Sequence, residues 1–185
     1  MRERSAEFSA ASYRDMALLQ LRTLSQPEYR DVALDMLAEV AAYPALSEVA
    51  WLRLQESMRI GQRQRQQSPA GRAGLQFFQL LYGDHPYANP PTGLASSVQR
   101  ITPARLKAFH ARYYTVRNAV LVLVGDIDRK TAETIAANFS QRLPAGDAAP
   151  ALPEPVPLKK AKRQHIEMPS QQTFVVLGEL GLSRN

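Results

Sequence analysis

Apolar and polar residues alternate along 16–24, with Leu19, Leu21 and Thr23 on one side and Gln20 and Arg22 on the other. That period of two predicts a half-buried strand. The period then lengthens. Tyr29, Val32, Ala33, Met36, Leu37 and Val40 fall at i, i+3, i+4, i+7, i+8 and i+11, which predicts a helix packed along that stripe. Ser25 and Glu28 have capping-box spacing, and Pro27 suits the first helical turn equally well. Pro44 closes the segment.

A long polar helix is expected over 47–66, with Gly61 inside it. Ser68 and Pro69 restart the chain as cap and first residue of a third helix, which runs to Tyr82 and stops at Gly83. The loop 84–93 holds Pro86, Pro90 and Pro91 and is expected to be irregular. After a short turn at 94–100, Thr102 and Pro103 open a fourth helix, with Leu106, Phe109, His110 and Tyr113 on one face. The run 119–125 (AVLVLVG) is continuously apolar, the pattern of a strand buried on both faces. Asp128 caps a last helix whose core stripe is Ala132, Ile135, Ala136 and Phe139.

Pro144, Pro150, Pro153, Pro155 and Pro157 then mark an extended, semi-rigid linker. Beyond it, 164–168 and 173–177 read as two strands. Two strands do not make a stable domain, so a second domain is expected to begin there, its strands pairing with another copy or packing opportunistically. The expected series is 1–146 as the C-terminal part of a first domain, 147–163 as linker, and 164–185 as the start of a second. The fold class is α+β: a mainly antiparallel sheet with helices packed on one face.

Composition changes this picture little. No run of 18 apolar residues occurs in the 185, so no membrane span is expected. The segment 1–7 lacks the apolar core of a signal peptide. The absence of cysteine excludes disulfides, thiolate metal sites and a cysteine nucleophile. The net charge of +6 comes largely from Arg53, Arg59, Arg63, Arg65 and Arg72, and from Lys159, Lys160, Lys162 and Arg163. No phosphate loop, RNA-binding aromatic motif or zinc-finger spacing accompanies them. They read as solvated surface or protein contact rather than a nucleic-acid footprint, although a basic binding module stands as one alternative.

Three stretches carry a resemblance. They are Leu81-Tyr82-Gly83-Asp84-His85-Pro86-Tyr87-Ala88, then Ile101-Thr102 through Phe109-His110-Ala111-Arg112-Tyr113-Tyr114, then Asn118 through Gly125-Asp126. Their order and spacing resemble the insulinase/pitrilysin family of zinc peptidases, and the proline-rich segment resembles its junction between homologous halves. The resemblance implies helices packed on a mainly antiparallel sheet, enclosing a chamber for a peptide substrate. It also implies zinc in the active members, held by an inverted H-x-x-E-H motif and a later glutamate. Bound zinc there acidifies a water and polarises the scissile carbonyl.

His85, His110 and His165 are each followed by other residues, so none forms that motif. By the resemblance it would precede Met1. The later glutamate should fall within this chain. Counting from Pro44 or back from Pro69 places it at Gly61, and a second family glutamate at Leu54. Glu56 is close in sequence but lies on a different helical face. No catalytic residue and no metal ligand is therefore assigned, and no cofactor is expected in this chain.

The resemblance thus implies a non-catalytic subunit that completes a peptide-binding chamber beside a catalytic partner chain, in the periplasm. One alternative is an active zinc metalloendopeptidase whose long-helix register differs from this count. The histidines also have plain readings: His85 as a loop hydrogen-bonder, His110 as a partly buried core residue. Asp126 and Asp128 read as a helix-opening turn, and Tyr113 and Tyr114 as packing residues.

Overall fold

The computed structural model describes residues 6–182. Among them stand a two-stranded antiparallel sheet and six α-helices, an α+β arrangement. The residues form two compact units that interleave along the chain.

The first unit comprises 6–12, 17–48 and 102–150. Strand β1 (Ala6–Ser12) pairs with β2 (Ala17–Thr23), Ala6 opposite Thr23 and Ser12 opposite Ala17. Nothing in the small, exposed residues of β1 predicts a strand; the ladder to β2 holds it. In β2, Leu19, Leu21 and Thr23 are the more buried positions, as the alternation predicts, and the strand lies against helix α1 (Pro27–Ala42).

Helix α1 corrects two expectations. Gln26, not Ser25, is its N-cap residue and offers no side-chain bond, so Pro27 alone marks the start. The buried stripe is Ala33, Leu37, Ala38, Ala41 and Ala42, while Tyr29, Val32, Met36 and Val40 are exposed. At 100° per residue, the packed face is turned by roughly a third of a turn from the predicted one. The helix carries two apolar stripes, and periodicity alone does not say which one meets the sheet. Small alanines let the backbone approach closely, and that stripe is the packed one.

Helix α6 (Arg129–Arg142) packs on α1. Its last residue, Arg142, reaches Asp35 at 2.8 Å and Glu39 at 3.3 Å. Helix α5 (Pro103–Tyr113) starts as predicted, with Thr102 Oγ1 accepting the Arg105 N–H. After it, Thr115 is only 1% exposed, and the Val116 N–H donates to the Pro144 carbonyl.

The expected buried strand at 119–125 is not formed. No ladder includes it, and Val120, Val122 and Val124 stand exposed. A doubly buried strand needs neighbours at its edges and layers on both faces. The described residues supply neither.

The second unit comprises 13–16, 49–101 and 151–182. It holds nearly all of helix α2 (Glu48–Gln67), with α3 (Pro69–Tyr82) and the short α4 (Ala95–Val98). Ser68 caps α3 through the Gly71 N–H at 3.2 Å, Pro69 opens it, and Gly83 ends it at φ 56°, all as predicted. Polar side chains dock α2: Gln55 donates to the Val98 carbonyl and Gln62 to the Gly93 carbonyl, both at 3.2 Å. The loop 84–93 is not wholly irregular, since Pro86–Ala88 forms one 3-10 turn. The runs 164–168 and 173–177 form no strand among the described residues. Each lacks a stable neighbour, and a lone pair of short strands is marginal in water.

Candidate functional site

Gly61 lies within α2 and is exposed; a Cβ built there would meet nothing within 4 Å. Leu54, two turns earlier, shares that face and is 54% exposed. Glu56 sits elsewhere on the helix, and its carboxylate accepts from Arg59 Nε at 2.8 Å. That hydrogen bond, helped by the positive charge of Arg59, holds the Glu56 carboxyl below its ordinary range. The face carrying Leu54 and Gly61 therefore offers no carboxylate at either position.

The histidines are each engaged. His85 Nδ1 accepts the Tyr87 N–H at 3.1 Å, so the ring hydrogen lies on Nε2 and donates to the Pro153 carbonyl at 2.8 Å. His110 Nε2 lies 2.8 Å from the Ala41 carbonyl, and its ring stacks on Tyr114 at 4.6 Å. His165 is exposed and pairs with Glu167 at 2.9 Å. Phe109 and Tyr113 are in ring contact at 4.7 Å, a packing role for the tyrosine. Asp128 Oδ1 accepts the Thr131 N–H at 2.7 Å, which makes it the cap of α6 and holds its carboxyl below the usual range.

Among the described residues no three His, Asp or Glu side chains converge to hold a cation. Gly61, where the family resemblance places a ligand, has no side chain, and two of the histidines are engaged with backbone carbonyls.

Sequence reasoning missed one constellation. Around His85 stand Tyr82 and Tyr87, with ring centroids 5.7 and 4.8 Å away, and Phe78 stacks on Tyr82. The Arg14 guanidinium lies 3.6 Å over the Phe78 ring and Arg14 Nε donates to the Tyr87 carbonyl. Tyr87 and Tyr82 are close in sequence, but Arg14 is 73 residues from Tyr87, beyond any local signal. Beside this cluster an open groove of about 610 Å³ runs between Leu80–His85 and the proline-rich segment, with Lys159, Lys160 and Lys162 on its wall.

Residues 100–185 match the family described as the peptidase M16 inactive domain. The crystal structure of a peptidase M16 inactive domain from Pseudomonas fluorescens superposes with a TM-score of 0.80. It is 41% identical and covers 82% of this chain and 37% of its own. The chain is similar to the insulinase-type M16 peptidases. Among curated relatives, the zinc protease PqqE of Helicobacter pylori is 32% identical over 99 residues, which is 53% of this chain and 22% of PqqE. The chloroplastic stromal processing peptidase of Oryza sativa subsp. japonica is 32% identical over 122 residues, 63% of this chain and 10% of that protein. The first half of the periplasmic protease PqqL from Escherichia coli shares the fold, with a TM-score of 0.63 at 22% identity, over 81% of this chain and 32% of that one. The chain thus spans between a tenth and about a third of the length of these relatives. Zinc belongs to relatives that are named zinc proteases.

Proposed function

We propose that the protein is a non-catalytic M16 subunit that completes a peptide-binding chamber beside a catalytic partner chain. The carrying observation is Gly61. It occupies the place where the family resemblance calls for a glutamate ligand, on an exposed helical face that Leu54 shares. A zinc ion cannot be held by a residue with no side chain, and the nearby Glu56 is turned away and paired with Arg59. The domain series 1–146, 147–163 and 164–185 belongs to this proposal; it concerns descent from homologous halves, whereas the two compact units reflect packing alone. A periplasmic location rests on likeness to PqqL.

A second reading, an active zinc metalloendopeptidase, draws on the relatives named as zinc proteases. Peptide hydrolysis by the full-length protein separates the two. Under the proposal, the purified protein supplied with zinc cleaves no unstructured peptide, because no nucleophile–base pair or metal site is assembled. Hydrolysis that a chelator abolishes and zinc restores would establish the second reading.

A further inference from the structure

Helix α5 ends at Tyr113, and the last carbonyls of a helix have no partner within it. The chain then makes one 3-10 turn, Val116–Asn118, in which the Asn118 N–H donates to the Thr115 carbonyl at 3.0 Å. That turn brings the Asn118 side chain back to the helix end. Its Nδ2 lies 3.3 Å from the Tyr113 carbonyl, 3.2 Å from Thr115 Oγ1 and 3.4 Å from the Asp147 carbonyl. On the other side of the amide, Oδ1 accepts the Ala149 N–H at 2.6 Å. A backbone N–H donates only to an acceptor, so this contact identifies the oxygen of the amide.

The bonds to Asp147 and Ala149 have a pattern of their own. The Asp147 carbonyl and the Ala149 N–H flank Ala148 in the chain. They are the two groups that one residue of an adjoining parallel strand would take. Here a side-chain amide stands in for that residue, its donor on one group and its acceptor on the other. Two further contacts hold the same stretch. The Val116 N–H donates to the Pro144 carbonyl at 3.1 Å. Gly146 lies against the buried Thr115, where an added Cβ would stand 2.5 Å from Thr115 Cγ2. Gly146 is not one of the glycines at positive φ, so close approach, not backbone freedom, calls for glycine there.

We infer that Asn118 is a two-sided clasp, requiring both halves of its amide, that sets the point from which the proline-rich segment leaves the end of α5. Every partner lies within 102–150, inside the first unit, so the clasp closes on groups of that unit alone. Hydrogen exchange of the full-length protein, read at the Ala149 amide by mass spectrometry, tests it. The wild-type amide should exchange at least about tenfold more slowly than the same residue in an unstructured peptide. Asn118→Ala removes both halves and should return exchange to the peptide rate. Asn118→Asp is nearly isosteric and keeps an oxygen for Ala149, but it sets a carboxylate against the Tyr113 and Asp147 carbonyls. It should therefore fail as Asn118→Ala does at neutral pH, whereas a space-filling role would tolerate it. Gly146→Ala should free the same amide by pushing the segment off Thr115. The Thr131 N–H, held by Asp128, reports that the unit stays folded, and its exchange should not change in any of the three variants. A wild-type Ala149 amide that exchanges at the peptide rate overturns the inference. So does protection that survives Asn118→Ala or Asn118→Asp.

Discussion

Leu37 and Met36 are adjacent in sequence, and both belong to the stripe that periodicity predicts, yet the fold treats them oppositely. Leu37 is 7% exposed on a helix that packs on β2 and α6, while Met36 is 66% exposed. Leu37→Ala removes a packed side chain whose helical neighbours are Ala33, Ala38 and Ala41. Those alanines have nothing to extend into the space, so the cavity stays largely open, and a loss of about 3 kcal/mol follows within the usual range for such truncations. For a chain of this size that loss lowers the melting temperature by about 6–12 °C. Met36→Ala touches no packed surface and should lie within about 0.5 kcal/mol of wild type. Urea unfolding followed by far-ultraviolet circular dichroism compares the two directly. A Met36→Ala cost equal to or greater than that of Leu37→Ala would refute the observed rotation of α1 and restore the face that the sequence pattern predicts.

Three further outcomes are expected. Gly61→Ala, in an exposed helix interior with open space around the new methyl, should stabilise the chain by about 1 kcal/mol in the same urea assay, and destabilisation would mean that the glycine has a structural duty. His85→Ala removes the bond to the Pro153 carbonyl and should speed tryptic cleavage at Lys159, Lys160 or Lys162 several-fold; an unchanged digestion rate would show that His85 does not tether this segment. Asp128 has a folded carboxyl depressed below the ordinary 3.8 by the Thr131 N–H, so its stabilising contribution is complete above that value and is lost as pH falls through the lower folded one. Asp128→Asn keeps an acceptor without the charge and should flatten this part of the acid unfolding curve below about pH 4; an unaltered curve would remove the capping charge from the account.

Most helix boundaries were legible because their causes are local. Ser68, Thr102 and Asp128 each cap the helix that follows, with a bond to a backbone N–H three residues on. Proline or glycine at an end leaves the chain little choice. What was not legible depends on partners distant in sequence. Strand β1 exists through its ladder to β2, α1 turns according to which stripe meets the sheet, and 120–124 has the composition of a buried strand without anything described to bury it. The site divides in the same way. The residue types at 54 and 61 are plain in the chain, and the helix puts Leu54 and Gly61 on one face as the seven-residue spacing requires. The bonds of His85 and His110 to carbonyls 68 and 69 residues away could not be read from local sequence.

Zinc titration of the purified full-length protein at neutral pH, followed by calorimetry and checked by metal analysis after dialysis, tests the non-catalytic proposal most directly. The account predicts no stoichiometric uptake, with weak binding at most from exposed groups such as His165 and Glu167, and the same result for Gly61→Ala. One tightly held equivalent of zinc per chain would contradict it.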